Sequence, residues 1–132
     1  MIQNLVVNTL IGMGINVIDL DLSTTPTVEM AVVEQQAQGG IILTASHNPK
    51  EWNALKLLNG KGEFLDAAAG EEILRLVEAG DFDFAQVDDL GSITTVDSAI
   101  ASHIEAVLNH QLVEVEAIQN ANFNVVVDGV NS

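Results

Sequence analysis

Ser46, His47 and Asn48 place a hydroxyl, an imidazole and a carboxamide in consecutive positions of the segment Thr44-Ala45-Ser46-His47-Asn48-Pro49-Lys50. The segment follows the apolar run Ile41-Ile42-Leu43, which reads as a strand. A polar loop at the end of such a strand presents its side chains at the carboxyl edge of the sheet, where open α/β folds bind ligands. Pro49 keeps Asn48 out of the helical region. The pattern therefore describes a loop that exposes a serine.

Three chemistries are available to that serine. An α/β-hydrolase nucleophile needs Gly-x-Ser-x-Gly, and here Thr44 and Asn48 stand where the glycines belong. His47 is a poor general base for Ser46, because adjacent side chains on extended backbone point to opposite sides. A glycine-rich phosphate cradle is also absent, since Gly39-Gly40 precede the strand. A serine that carries a phosphoryl group fits better. Phosphoserine brings about −1.5 to −2 charges and strong acceptor oxygens, and His47, Asn48, Lys50 and Lys56 offer donors nearby. A structural polar turn explains the same residues, because such types are common in loops. Residue chemistry alone leaves that simpler account standing.

The surrounding elements alternate. Leu5, Val6, Leu10 and Met13 recur at helical spacing before Gly14, and Ile15 to Leu20 reads as a buried strand. Ser23-Thr24-Thr25 before Pro26 marks a helix start, with Glu29 as a capping-box partner. That helix is expected to run to Gly39-Gly40. Helix, strand, helix, strand implies parallel strands joined by crossovers. Ala54 to Leu58 reads as a short strand, Asn59-Gly60 as a turn, and Glu63-Phe64-Leu65 as the returning partner. Gly70 to Ala79 is helical, with Ile73, Leu74 and Val77 on one face. Residues 80–95 read as an acidic surface connection. Helices follow over 96–108 and 112–121, then a strand over Phe123–Val127 ending at Asp128-Gly129.

Composition narrows the classes. A 132-residue chain with 48% hydrophobic residues suits one domain with a core. The net charge of −15 argues against nucleic acid, which needs Lys and Arg. No apolar run approaches the roughly 18 residues that span a bilayer, and the N-terminus lacks the pattern of a signal peptide. Without cysteine there is no disulfide or thiolate metal site, and the cytoplasm is the default compartment. Three of the four basic residues, Lys50, Lys56 and Lys61, fall within fifteen positions after Ser46, so local positive charge is expected beside the loop. His103 and His110 lack a third ligand candidate between them and read as ordinary polar residues.

Thr44-Ala45-Ser46-His47-Asn48-Pro49, with Glu51-Trp52-Asn53-Ala54-Leu55-Lys56 after it, resembles the active-site serine segment of the α-D-phosphohexomutases. The likeness extends to Gly14-Ile15-Asn16-Val17, to Thr24-Thr25-Pro26-Thr27 and to Val125-Val126-Val127-Asp128-Gly129. Many members carry Asn-Gly where this chain has Asn53-Ala54. The resemblance implies an α/β fold, a three-layer α/β/α mixed sheet that is an incomplete domain I. Residues 1–121 would be that partial domain and residues 122–132 the first strand of domain II. It also implies a reaction that moves phosphate between O1 and O6 of a hexose through a phosphoserine and a bisphosphate sugar.

Ser46 would then carry the phosphoryl group and bind Mg²⁺ through one of its oxygens. His47 and Asn48 would shape the phosphate environment, with His47 also reaching the substrate, and Lys56 would shuttle a proton or hold phosphate. Lys50, Lys61 and Trp52 stay structural or peripheral. The wording after the hexapeptide leans toward phosphoglucosamine or phosphomannose substrates. The family's arginine motif, its aspartate-rich Mg²⁺ loop, its sugar loop and its phosphate-binding arginine loop have no counterpart in this sequence. An inactive fragment is therefore expected, one that self-associates through exposed strand edges. The competing class is a non-enzymatic acidic α/β binding module.

Overall fold

The structure is a computed structural model and describes residues 1–45, 48, 49 and 51–129. The chain forms two compact units, residues 1–100 and 101–132. The first contains α1 (Ile2–Gly12), β1 (Val17–Asp19), α2 (Thr25–Glu34), β2 (Gly39–Thr44), β3 (Ala54–Asn59), α3 (Ala67–Ala79) and β4 (Ile93–Thr95). The α/β class with mixed strand directions is as expected, but the pairing is not. β1 runs parallel to β4, and β2 pairs antiparallel with β3, as two separate two-stranded ladders. The expected parallel partnership of β1 with β2 does not form.

Residues 80–95 are acidic and mostly exposed, as expected, but they contain more regular structure than a connection. A 3₁₀ turn, Val87–Asp89, leads into β4. Along the way Ala85 N–H donates to Gly12 O and Gly91 N–H to Ile11 O, each at 2.9 Å. These bonds satisfy carbonyls at the end of α1 that have no partner inside the helix. Asn16 Oδ1 accepts from both the backbone N–H and the hydroxyl of Ser92, at 3.0 and 2.8 Å. A strap from late in the chain thus holds α1 and β1 in place. Gly14, at φ +81°, supplies the turn between them.

α2 starts as the sequence predicts, with one change. Thr24 is the N-cap, its hydroxyl accepting from Thr27 N–H at 3.3 Å, and Pro26 sits in the first turn. The third helical position belongs to Thr27, so Glu29 lies too far along to close a capping box. Thr27 is 1% exposed and its hydroxyl stands 2.7 Å from that of Thr24. The helix ends earlier than expected, before Gln36 at φ +52°. Gly39 and Gly40 are strand residues instead. A side chain at Gly40 would strike Val32 Cγ2 and one at Gly39 would strike Leu58 O, both at 2.8 Å. Their role is close approach, not helix termination.

The core of this unit is small. Val32 of α2, Ile42 of β2 and Leu58 of β3 are buried together, with Val28 and Ala37 against them. The β3 turn folds as read. Asn59 Oδ1 accepts from Lys61 and Glu63 N–H at 2.8 and 3.1 Å, and Phe64 bridges back to Leu58. α3 is capped by Asp66, whose carboxylate accepts from Ala69 N–H at 2.9 Å, and it ends at Gly80 in the left-handed region. Its apolar face is open, with Leu74 64% exposed.

The second unit is helical, with most of α4 (Ala99–Leu108) and all of α5 (Val115–Ala121), the latter ended by Asn122 at φ +50°. Phe123–Val127 is not a strand here. The segment has no ladder partner among the described residues, and Val126 is 95% exposed. β-Branched sequence favours extended backbone, but a strand exists only where its N–H and C=O groups find another strand.

Candidate functional site

The loop that carries Ser46 is the connection between two paired strands, not the tip of a parallel one. Thr44 and Ala54 form the last rung of the β2–β3 ladder, so both feet of residues 45–53 are tied together. Ser46, His47 and Lys50 lie outside the described residues. Asn48 is exposed, at a bend, and its N–H donates to Ala45 O at 3.0 Å. Trp52 N–H donates to Pro49 O at 2.9 Å, and the Trp52 side chain is exposed. Neither Asn48 nor Pro49 is helical, as the proline predicts.

Lys56 belongs to the same hairpin. It pairs with Ile42, two rungs from Thr44–Ala54, so about 7 Å of strand separates it from the loop's feet. Directly opposed residues share a face. Lys56 therefore lies on the side of the buried Ile42, which explains its partial burial. Its ammonium stands 5.8 Å from the centroid of Phe64, at the outer limit of a cation–π contact. Sequence reasoning missed Phe64 as a partner, although the returning 63–65 segment had placed it beside β3. Lys56, Phe64, Leu55, Asp66 and Leu74 line an open, largely apolar groove between β3 and α3.

Of the lysines expected beside the loop, Lys50 lies outside the described residues and Lys61 lies away from it. Lys61 follows Asn59 at the opposite end of β3, a six-residue strand of roughly 20 Å from the loop. Arg75 is on α3, held by two hydrogen bonds to Glu72 of 2.8 and 2.6 Å. Glu72 is pulled below its ordinary value of 4.5 by that hydrogen bond, and Arg75 is raised by the same contact. A carboxyl lowered on folding stabilises above its unfolded value and loses that contribution as pH falls through the lowered one. The pair is exposed, so its effect is small and screened by salt. Glu72→Gln is therefore expected to shift the thermal midpoint only slightly at pH 7. The shift should fade as pH drops through the lowered carboxyl value and in about 1 M salt, as paired melting curves will show. A shift that persists in acid would contradict this assignment.

Among the described residues no three His, Asp or Glu side chains gather where a metal could sit. His103 lies on α4, and His110 Nδ1 accepts from Leu112 N–H at 3.3 Å. They are helix and turn residues of the second unit. No helix among the described residues is long and apolar enough to cross a membrane.

Comparison with known proteins gives a concordant picture. Residues 1–84 match the family model described as phosphoglucomutase/phosphomannomutase, alpha/beta/alpha domain I. A phosphoglucomutase/phosphomannomutase of Thermococcus kodakarensis is 35% identical over 131 residues, 99% of this chain and 28% of that protein. A probable phosphoglucosamine mutase of Pyrococcus horikoshii is 30% identical over the same coverage. A phosphoglucosamine/phosphogalactosamine mutase of Sulfurisphaera tokodaii is 29% identical over 133 residues, 100% of this chain and 29% of that protein. The chain thus spans somewhat over a quarter of the length of these relatives.

Proposed function

Because the chain belongs to the phosphoglucomutase/phosphomannomutase family, we propose that it carries the phosphoryl-transfer loop of a mutase that exchanges phosphate between O1 and O6 of a hexose. The observation behind this reading is the family match across residues 1–84, which includes Thr44-Ala45-Ser46-His47-Asn48-Pro49 on the β2–β3 connection. Phosphate on Ser46 passes to the sugar's free hydroxyl. The P–Oγ bond breaks as the new P–O bond forms, a base takes the attacking hydroxyl's proton, and Ser46 regains a proton. The product is a bisphosphate sugar. It reorients, and its other phosphate returns to Ser46 by the reverse steps.

His47 and Asn48 donate to the phosphate, and Lys56 is the proton carrier or a phosphate ligand. In the structure the ammonium of Lys56 stands 5.8 Å from the centroid of Phe64. Mg²⁺ at an oxygen of the Ser46 phosphate would neutralise charge on the transferring group. Glucosamine, mannose and glucose phosphates are the substrates in view, drawing on the relatives' names. The 132 residues alone are expected to be inactive, and the compartment is the cytoplasm.

Intact-mass analysis of the purified chain tests the chemistry. One phosphoryl group should be found, fragmentation should place it on Ser46, and Ser46→Ala should lack it. Phosphate placed on another residue, or retained by Ser46→Ala, sinks the reading. Hexose 1- and 6-phosphate interconversion at an enzyme's ordinary rate would overturn the expected inactivity.

Self-association belongs to the same proposal. β2 is paired on one edge only among the described residues, and it carries no charge or proline to blunt the other. Sedimentation velocity should show dimers or larger species as concentration rises, and a charge placed in the edge by Ile41→Lys should reduce them. A monomer at every concentration rejects it.

A further inference from the structure

Asn59-Gly60 is the one Asn-Gly pair in the sequence. Asparagine is among the chemically labile residues, and the residue after it sets how easily its carboxamide is attacked. The nitrogen of that residue can close on Cγ to form a five-membered succinimide. Glycine opposes this least, because it has no Cβ to crowd the ring and the widest choice of backbone conformation. Asn59 ends β3 at the end away from Ala54 and the serine loop, so the mutase reading makes no use of it.

The structure pins the carboxamide. Asn59 Oδ1 accepts from the backbone N–H groups of Lys61 and Glu63, and Nδ2 donates to Glu63 Oε2 at 3.1 Å. The main chain is closed as well, with Asn59 N–H donating to Glu63 O at 2.8 Å and Gly62 N–H to Asn59 O at 3.0 Å. Gly62 is buried against the Glu29 carbonyl of α2. Ring closure has to swing Cγ onto the Gly60 nitrogen, which breaks the three side-chain bonds together. The reaction therefore runs from an opened turn, and its rate follows the population of that open form.

We propose that Asn59 is a modification site gated by the turn that it builds. When the turn opens, the Gly60 nitrogen gives its proton to water and bonds to Cγ, and Nδ2 leaves as ammonia. Water then adds to one of the two succinimide carbonyls. The ring C–N bond there breaks, the nitrogen regains a proton, and the product is aspartate or isoaspartate. The balance is asparagine plus water giving acid plus ammonia, with no oxidant or cofactor. For the fold the change is one-way. Aspartate replaces the Nδ2 donor by an oxyanion facing the Glu63 carboxylate, where like charges repel. Isoaspartate leads the main chain through Cγ and lengthens it by one atom at the Gly39–Asn59 rung, which spoils the register.

Peptide mapping by mass spectrometry tests this on the full chain, incubated at mildly alkaline pH either folded or in denaturing guanidinium. In the unfolded chain Asn59 should convert to two products of equal mass, aspartate and isoaspartate, ahead of Asn53, whose follower Ala54 carries a Cβ. In the folded chain conversion should be at least about tenfold slower, since three hydrogen bonds open together. Glu63→Ala removes the acceptor of Nδ2 alone and should speed the folded reaction about two- to tenfold, leaving the unfolded rate unchanged. A Glu63→Ala chain that circular dichroism shows to be unfolded should react at the guanidinium rate. Equal rates in the folded and unfolded wild type, aspartate as the sole product, Asn53 converting first, or a folded Glu63→Ala no faster than wild type each overturns the proposal.

Discussion

Alanine at position 91 is expected to unfold the N-terminal unit or leave it only marginally folded. A Cβ at Gly91 would press into the backbone O, C and N of Ile15, all nearer than the 3.0 Å that real Cβ contacts respect. Backbone atoms cannot swing aside as a side-chain tip can. Room for the methyl has to come from lifting the strap, which carries the Gly91 to Ile11 bond, both Ser92 bonds to Asn16 and the Val17 N–H to Ser92 O bond of 2.7 Å. Each such bond contributes about 0.5–1.5 kcal/mol, and β1–β4 pairing goes with them. The summed loss should exceed about 4 kcal/mol, in the range reserved for gross disruption.

Gly62→Ala should behave similarly, because its Cβ would enter the Glu29 carbonyl and its φ is +75°. Gly70→Ala is the contrasting control. It sits inside α3 with nothing within 4 Å of the added methyl, and should stabilise by about 0.5–1 kcal/mol. Urea titrations followed by circular dichroism separate the three. Equal midpoints for the Gly91 and Gly70 variants would refute the strap's importance.

Leu58→Ala should be the most damaging change in the core, at about 2–5 kcal/mol. Leu58 is 4% exposed, touches Val32 and Ile42, and opposes both Gly40 and Phe64. So small a cluster has few neighbours to collapse into the hole. Leu55→Ala, three residues earlier on the same strand and half exposed, should cost much less. Comparable losses in the two variants would mean that the core lies elsewhere. Because β3 also supplies one foot of the serine loop, the Leu58 variant should loosen residues 45–53 before it unfolds, visible as faster amide exchange at Asn48 and Trp52.

Much of this was legible in the chain. Helical spacing located α1 and α3, Thr24 and Pro26 announced α2, and Asn59-Gly60 announced the turn, because each signal is local. Pairing is not local. β4 is three residues, two of them threonine, inside an acidic stretch, and only its meeting with β1 across more than seventy positions makes it a strand. Phe123–Val127 fails in the opposite sense, with strong β composition and no partner among the described residues. Lys61 shows the same limit for charge. Fifteen positions from Ser46 looked near, yet the hairpin carries it to the far end. The family was legible because the hexapeptide is distinctive. The exposure of Trp52 was not, since sequence does not tell whether an aromatic is covered.

The late strap has a consequence for how the chain matures. β2 and β3 are near neighbours in sequence, and their hairpin closes within a short loop. β1 and the end of α1 wait for residues 85–95, so the topology mixes a low contact order hairpin with a high contact order closure. During synthesis at 5–20 residues per second, Val17 is made roughly 4–15 s before its partner Ile93. Over that interval the ribosome-bound chain holds an uncovered helix end and an unpaired strand, a natural client for a chaperone that binds short apolar segments.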